Sequence, residues 1–156
     1  MIILAIDPGY DRCGWAVGEK SNNSLRLIDY GCIQTSKEDS FYDRYAQIIK
    51  RITQIIEKHQ PTVGVLELLF FSKNQKTALR VSEIRGAIIT LYIQHTMTLK
   101  EFTPVQIKLA AAGHGQADKK SVEKMVRLQL KLGSAKLIDD TIDALAILMT
   151  CSVSIR

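Results

Sequence analysis

The 156-residue chain has few cysteines and no long apolar run, and each shortage excludes a class of protein. Its three cysteines, Cys13, Cys32 and Cys151, form no C-x-x-C pair, so neither a disulfide framework nor a zinc site is predicted. Only about six apolar residues precede Asp7, with no basic segment before them, which is too little for a signal peptide or a membrane span. We therefore expect a soluble, cytoplasmic protein.

The chain has only three histidines, and its acidic residues are fewer than its basic ones. His59, His95 and His114 stand at no spacing that suits a metal site or a catalytic triad. Lys and Arg number 21 against 16 Asp and Glu, which gives a formal net charge of +5. If some of the acids gather in a pocket, the remaining surface is more basic than this total suggests, which favours a polyanionic partner. Ordinary solubility is the alternative. Repeats, low-complexity segments and linkers are lacking, so we expect one domain over residues 1–156.

The predicted elements follow an order that is typical of a mixed α/β fold. The predicted strands are residues 2–7, 12–19, 25–34, 62–67 and 98–103. The predicted helices are residues 41–59, 74–95, 104–111, 118–131 and 139–152. A three-stranded meander followed by alternating helices and strands predicts a five-stranded mixed sheet with helices on both faces.

Four acidic residues stand where a buried apolar element begins or ends. Asp7 and Glu67 each end an apolar strand. A right-handed crossover would place these two strands side by side and parallel, so both acids would project from neighbouring carboxyl ends, where ligands of such sheets bind. Asp140 and Asp143 lie three apart at the start of an apolar helix, a spacing that puts both on one face.

Clustered carboxylates without histidine or thiolate partners favour Mg²⁺ or Mn²⁺ over zinc. Two such ions can activate a water and stabilise the leaving oxygen of a phosphodiester displacement. Alternatives remain for single acids, since Asp7 can belong to a simple turn and Asp139 or Asp140 can cap a helix. Asp139 is four residues before Asp143, so spacing alone does not decide which of Asp139 and Asp140 is the ligand.

The helix predicted over residues 74–95 is apolar on most of its circumference from Ile84 to Ile93. One face can cover the sheet, but the other needs cover too. Two interpretations are open: a helix buried within one domain, or a helix that also forms a dimer interface.

Several motifs occur in a fixed order along the chain. They are Ile6-Asp7-Pro8-Gly9 with Gly14, Glu67-x-x-Phe70 followed by Lys73-Asn74, Ala78-Leu79 through Arg85-Gly86, Lys108 before Gly113-x-Gly115, and Asp140-x-x-Asp143-Ala144-Leu145-Ala146. From Ile2 to about Val153 this order resembles the RuvC family of bacterial Holliday-junction resolvases.

The resemblance implies a ribonuclease-H-like fold, a homodimer, and paired nicking of four-way DNA junctions in recombination and repair. It implies two Mg²⁺ ions per active site, with Mn²⁺ able to substitute, and a branch-migration complex of the RuvA–RuvB type as partner. It also implies that Asp7, Glu67, Asp140 and Asp143 are the metal-binding catalytic acids, which favours Asp140 over Asp139.

Three further residues match DNA-contacting positions of that family. Phe70 corresponds to an aromatic that lies against bases at the junction, and Lys108 and Lys119 to lysines close to the scissile phosphates. Stacking and charge neutralisation make these roles physically reasonable. Core packing is the alternative for Phe70 and a solvated surface for the lysines, and Lys120 leaves open which lysine makes the contact.

Two other functions compete with this interpretation. Asp7-Pro8-Gly9 followed by Gly14 also resembles the first phosphate loop of actin-like and sugar-kinase-like ATPases. Those enzymes clamp nucleotide between two domains, and this chain is too short for two and shows no Gly-Gly adenosine motif. A junction-binding module without catalysis is the second alternative, and four intact acids argue against it.

Overall fold

A computed structural model of the chain describes residues 1–22, 24–69, 75–134 and 136–154, with only the backbone described for residues 75–77. Its strands are β1 (Ile2–Asp7), β2 (Arg12–Ser21), β3 (Ser24–Gln34), β4 (Val63–Glu67) and β5 (Thr98–Phe102). Its helices are α1 (Phe41–His59), α2 (Gln75–Gln94), α3 (Pro104–Ala112), α4 (Lys119–Gln129) and α5 (Asp139–Ser154). Each element coincides closely with a predicted one.

The strands form one mixed sheet in the order β3-β2-β1-β4-β5. β1, β2 and β3 are an antiparallel meander, whereas β4 is parallel to β1 and β5 is parallel to β4. The predicted mixed sheet and the predicted neighbourhood of the first and fourth strands are therefore confirmed. Ile6 lies opposite Leu66 in the register, so Asp7 and Glu67 follow at the same edge of the sheet.

Helices cover both faces of the sheet, and alternate residues of β1 point to opposite cores. Ile3 and Ala5 pack in one core with α3, α4 and α5, while Leu4 and Ile6 pack in the other with α1 and α2. All four are fully buried, as expected of a central strand that is covered on both sides. Among the described residues, no helix is long and apolar enough to cross a membrane.

Helix α2 has a buried face and an exposed face. Ile84, Ile88 and Tyr92 are fully buried in the chain's own core. A Cβ atom at Gly64 would lie 2.3 Å from the Tyr92 ring, so the absence of a side chain on β4 lets this ring lie directly on the sheet. The first interpretation, a helix buried within the domain, holds for this face, whereas the opposite face, which includes Ile93, is exposed.

Candidate active site

The position of Asp7 depends on the turn that follows β1. The buried Arg44 of α1 pairs with the Asp11 carboxylate and donates hydrogen bonds to the Tyr10 carbonyl at 3.2 Å and to Thr35 Oγ1 at 2.9 Å. One guanidinium thus joins the turn after β1, the end of β3 and helix α1. These bonds hold the end of the strand that carries Asp7.

Glu67 ends β4 and has its own backbone support. The Leu68 amide donates to the Phe102 carbonyl at 2.8 Å, which continues the pairing of β4 with β5 past the acid. Arg85 of α2 pairs with Glu101 of β5, and its Nε donates to the Glu67 carbonyl oxygen at 3.4 Å. The backbone of Glu67 is therefore tied to a strand and a helix.

The first turn of α5 lies directly on β2, where Gly14 makes the approach possible. A Cβ atom at Gly14 would lie 1.8 Å from the Asp140 carbonyl oxygen and 2.4 Å from its carbonyl carbon. Both are backbone atoms, which cannot rotate away as the end of a side chain can. The close approach brings Asp140 to the edge of the sheet where Asp7 and Glu67 lie.

Asp140 and Asp143 each lie beside a cation from a different element. Arg12 Nε of β2 is 3.1 Å from Asp140 Oδ2, and Lys119 Nζ of α4 is 3.4 Å from Asp143 Oδ2. The contact between Arg12 and Asp140 is an ion pair without a hydrogen bond. In the part of the chain that the structure describes, nothing donates a hydrogen bond to this buried oxygen.

The charges of neighbouring acids raise the pKa of carboxyl groups at the site. Burial, together with the charges of Asp143, Glu67 and Asp140, raises the pKa of Asp7 from 3.8 to about 8. Burial and then the charge of Asp143 raise the pKa of Glu67, while Lys108 and Lys119 oppose this shift. Charge effects of this kind require that the carboxyl groups lie close together, so the acids share one site.

Whether these residues fit a metal ion follows from their donors. Across residues 1–22, 24–69, 75–134 and 136–154, no three His, Cys, Asp or Glu side chains already stand as a group that could hold an ion. The donor set is nevertheless all oxygen. Burial and the neighbouring carboxylates raise the pKa of Asp7, and Asp140 Oδ2 has no hydrogen-bond partner. Such a set fits a hard divalent cation such as Mg²⁺ better than zinc.

Two predicted lysines lie at the same site as the acids. Lys108 and Lys119 line a cavity of about 240 Å³ together with Glu67 and Asp143. The negative charge of Asp143 raises the pKa of Lys119, which keeps this side chain cationic. Both lysines therefore border the acidic site.

The neighbouring residues Lys120 and Asp139 face a different space. They line a smaller cavity of about 170 Å³ beside Lys119, Glu123 and Asp143. Asp139 is exposed, whereas Asp140 is largely covered. Phe70, the predicted base-stacking residue, lies outside the described residues.

Sequence reasoning missed the three arginines that support the acids. Arg12, Arg44 and Arg85 each contact an acid of the site or the backbone beside one. Arg85 lies in the family motif that runs from Ala78 to Gly86. Spacing along the chain nevertheless does not identify the partner of any of the three arginines. Each contact joins residues that are far apart in the chain or lie on different elements.

The class of protein follows from the sheet and the site together. A mixed sheet of this order, with acids at the carboxyl ends of β1 and β4 and in the first turn of a covering helix, is a ribonuclease-H-like fold. The model of the family described as crossover junction endodeoxyribonuclease RuvC matches residues 3–151. The chain belongs to this family and is therefore a nuclease of DNA crossover junctions, so the ATPase and the module without catalysis are rejected.

Similar proteins cover nearly the whole chain. A crossover junction endodeoxyribonuclease RuvC of Petrotoga mobilis is 43% identical over 146 residues, which are 94% of this chain and 90% of that protein. The protein of the same name from Thermosipho melanesiensis is 42% identical over 156 residues, 100% of this chain and 99% of its own. The structure of T. thermophilus RuvC in complex with Holliday junction substrate has a TM-score of 0.87 at 30% identity, covering 96% of this chain and 92% of that one.

Proposed function

We propose that the chain resolves four-way (Holliday) DNA junctions in homologous recombination and repair by paired symmetric nicks. The observation that carries the proposal is the acidic site, in which Asp7, Glu67, Asp140 and Asp143 come from β1, β4 and α5. There, burial and the charges of neighbouring acids raise the pKa of Asp7, Glu67 and Asp143. Such repulsion destabilises a fold, so it is expected where a function needs the charges. The structure of a relative bound to Holliday junction substrate supports the choice of DNA.

The four acids would hold two Mg²⁺ ions per site, or Mn²⁺ in their place. When bound, the ions would supply an activated water and stabilise the leaving oxygen of an in-line displacement. The carboxylates then need no proton of their own to transfer, and their task is to orient oxygen donors.

Lys108 and Lys119 would bind the phosphates on either side of the scissile bond. They border the cavity that Glu67 and Asp143 line, so a phosphate that reaches the acids passes these ammonium groups. Each lysine that neutralises a phosphate releases a counterion and so contributes to affinity. Phe70 would stack on an unpaired base at the junction, as its position in the family motif suggests.

Paired nicks need two active sites, which supports a homodimer with two-fold symmetry. The exposed face of α2 is the surface that we assign to it. A branch-migration complex of the RuvA–RuvB type would deliver the junction, and both the DNA and this partner put the enzyme in the cytoplasm.

The test is cleavage of a synthetic four-way junction by matched variants. Asp140→Asn should lose most cleavage, by about a hundredfold or more, while junction binding stays within a few fold, because basic surfaces away from the site carry most of the affinity. Asp139→Asn is the control, since it removes the same charge one residue away. Mg²⁺ and Mn²⁺ should support nicking by the wild type, and Ca²⁺ should support binding with little cutting.

Two results would contradict the proposal. Cleavage that survives thorough chelation by EDTA would remove the metal ions from the mechanism. Near-normal cleavage by Asp140→Asn, with loss on Asp139→Asn, would show that Asp139 is the ligand.

A further inference from the structure

The two acids of α5 are paired with cations in different ways. Lys119, on the rim of the acidic cavity, is a proposed phosphate contact. Arg12 has no such assignment, although its Nε is closer to Asp140 than Lys119 Nζ is to Asp143, at 3.1 Å against 3.4 Å. The role of Arg12 is therefore unexplained by the proposed mechanism.

Arg12 lies where it can contact both the site and its surroundings. Its side chain is 52% exposed, whereas that of Asp140 is 21% exposed. Arg12 is the first residue of β2, and its backbone is held by pairing with Gln34 of β3. The backbone of Arg12 is thus fixed by the sheet, while its half-exposed side chain contacts both solvent and the Asp140 carboxylate.

The ion pair is weak enough to be exchanged. Its nitrogen and oxygen are close, but no hydrogen bond joins them. The Arg12 side chain is half-exposed, so water and salt screen its charge and reduce the net stability that the pair contributes. A DNA phosphate offers the same guanidinium two hydrogen bonds in a geometry that suits arginine.

A divalent cation on Asp140 would oppose this ion pair. It would occupy the oxygen that Arg12 now neutralises, and its charge would repel the guanidinium. In the free protein Arg12 and the metal therefore compete for one carboxylate, and a phosphate that attracts Arg12 removes the competition.

We propose that Arg12 couples DNA binding to metal binding: its guanidinium neutralises Asp140 in the free protein and transfers to a DNA phosphate in the complex. Arg12 is a positioning residue in this role, because it acts through Asp140. The coupling is reciprocal, so DNA raises metal affinity by the same factor by which metal raises DNA affinity. The proposal rests on the proposed function, because it takes Asp140 to be a metal ligand.

The experiment measures binding, without turnover, for the wild type, Arg12→Gln and Arg12→Lys. Ca²⁺ is titrated into the free protein and followed by the rise in melting temperature. The Kd for a fluorescently labelled junction is then measured by anisotropy in EDTA and in saturating Ca²⁺ at constant ionic strength, with a gel to verify that the DNA is uncut. Arg26→Gln is the matched control, because it removes an exposed arginine whose Nε is 3.1 Å from Glu19. This pair lies on the same sheet, at the opposite end of β2 from Arg12.

Two opposite changes are expected for Arg12→Gln. The free variant should bind Ca²⁺ about fivefold more tightly, since the competing cation is gone. In the wild type Ca²⁺ should strengthen junction binding by about fivefold or more, and in Arg12→Gln by less than about twofold. Arg12→Lys should lie between them, and Arg26→Gln should behave as the wild type.

A free Arg12→Gln protein that binds Ca²⁺ no more tightly than the wild type would overturn the proposal, as would undiminished coupling. Asp140→Asn separates this failure from failure of the proposed function. If Asp140→Asn abolishes Ca²⁺ binding while Arg12→Gln leaves it unchanged, the metal site stands and only the role of Arg12 is wrong. If the wild type binds no divalent ion, both proposals fall.

Discussion

At the scale of single residues, the acidic site is arranged at the expense of stability. An aspartate has an ordinary pKa of 3.8, and burial together with three neighbouring acids raises that of Asp7 to about 8. The folded state therefore binds a proton at Asp7 that the unfolded state releases between these two values. Stability must fall as the pH rises through this interval, because the unfolded state holds fewer protons.

The first prediction follows from this sign. In EDTA, the melting temperature of the wild type should fall between about pH 5 and about pH 8, and Asp7→Asn should remove much of the fall. At pH 8 the variant should be more stable by about 1 kcal/mol or more, because an amide needs no proton. Added Mg²⁺ should stabilise the wild type and leave the variant nearly unchanged.

Asp39→Asn is the control for this measurement. The Asp39 carboxylate is exposed and accepts a hydrogen bond from Gln47, away from the four acids. Its melting temperature should follow that of the wild type across the same pH range. If Asp7→Asn is less stable than the wild type at pH 8 without metal, the charge repulsion inferred at the site is wrong.

At the scale of elements, the contact of β2 with α5 brings the two acids of α5 to the edge of the sheet where Asp7 and Glu67 lie. The contact has no room for a side chain at Gly14, where a Cβ atom would overlap the Asp140 carbonyl at 1.8 Å. A methyl group there must push the first turn of α5 from the sheet. Because this turn carries Asp140 and Asp143, packing and chemistry are affected together.

The second prediction is that Gly14→Ala loses both stability and junction cleavage. Overpacking against backbone atoms should cost about 1–3 kcal/mol in the free energy of unfolding, measured by urea denaturation. Gly133→Ala is the control, since no described atom lies within 4 Å of a Cβ at that position. Normal stability and cleavage by Gly14→Ala would show that the close contact between β2 and α5 is not required.

At the scale of the whole molecule, the exposed face of α2 is the surface proposed for the dimer. A charge at Ile88 would not test it, because Ile88 is fully buried in the core and its replacement would unfold the monomer. Gly86 is a better position. It is exposed, and no described atom lies within 4 Å of a Cβ built there.

The third prediction is that Gly86→Gln yields a folded monomer that has lost paired nicking. In the monomer the new side chain meets open space and improves helix propensity by up to about 1 kcal/mol, so the melting temperature of the isolated fold should not drop. At a close helix–helix contact the same side chain would separate the two backbones. Sedimentation velocity and cleavage of a cruciform plasmid measure the two effects.

Gly133→Gln is the control, because it places the same side chain in open space on another surface. It should remain a dimer and make both nicks in one binding event. A Gly86→Gln protein that is still a dimer would show that the two-fold interface lies elsewhere. If the wild type is a monomer and still makes both nicks in one binding event, the proposal of a homodimer is wrong.

The sequence by itself determined the elements and their order. Apolar periodicity and turn residues are local properties, so the ranges of α1 and the five strands could be predicted closely. The parallel neighbourhood of β1 and β4 followed from the handedness of crossover connections. For the same reason Asp7 and Glu67 could be predicted to meet at one edge of the sheet.

Only the tertiary structure decided which side chains contact one another. The pairing of Arg12 with Asp140, the bonds of Arg44 to the turn after Asp7 and the burial of one face of α2 depend on how distant segments pack. Periodicity marks which face of an element is apolar, but it does not say what covers that face. The sequence pattern determines ion pairs even less than it determines packing partners. A charged side chain meets its partner only after strand register and helix packing have brought the two within a few ångströms.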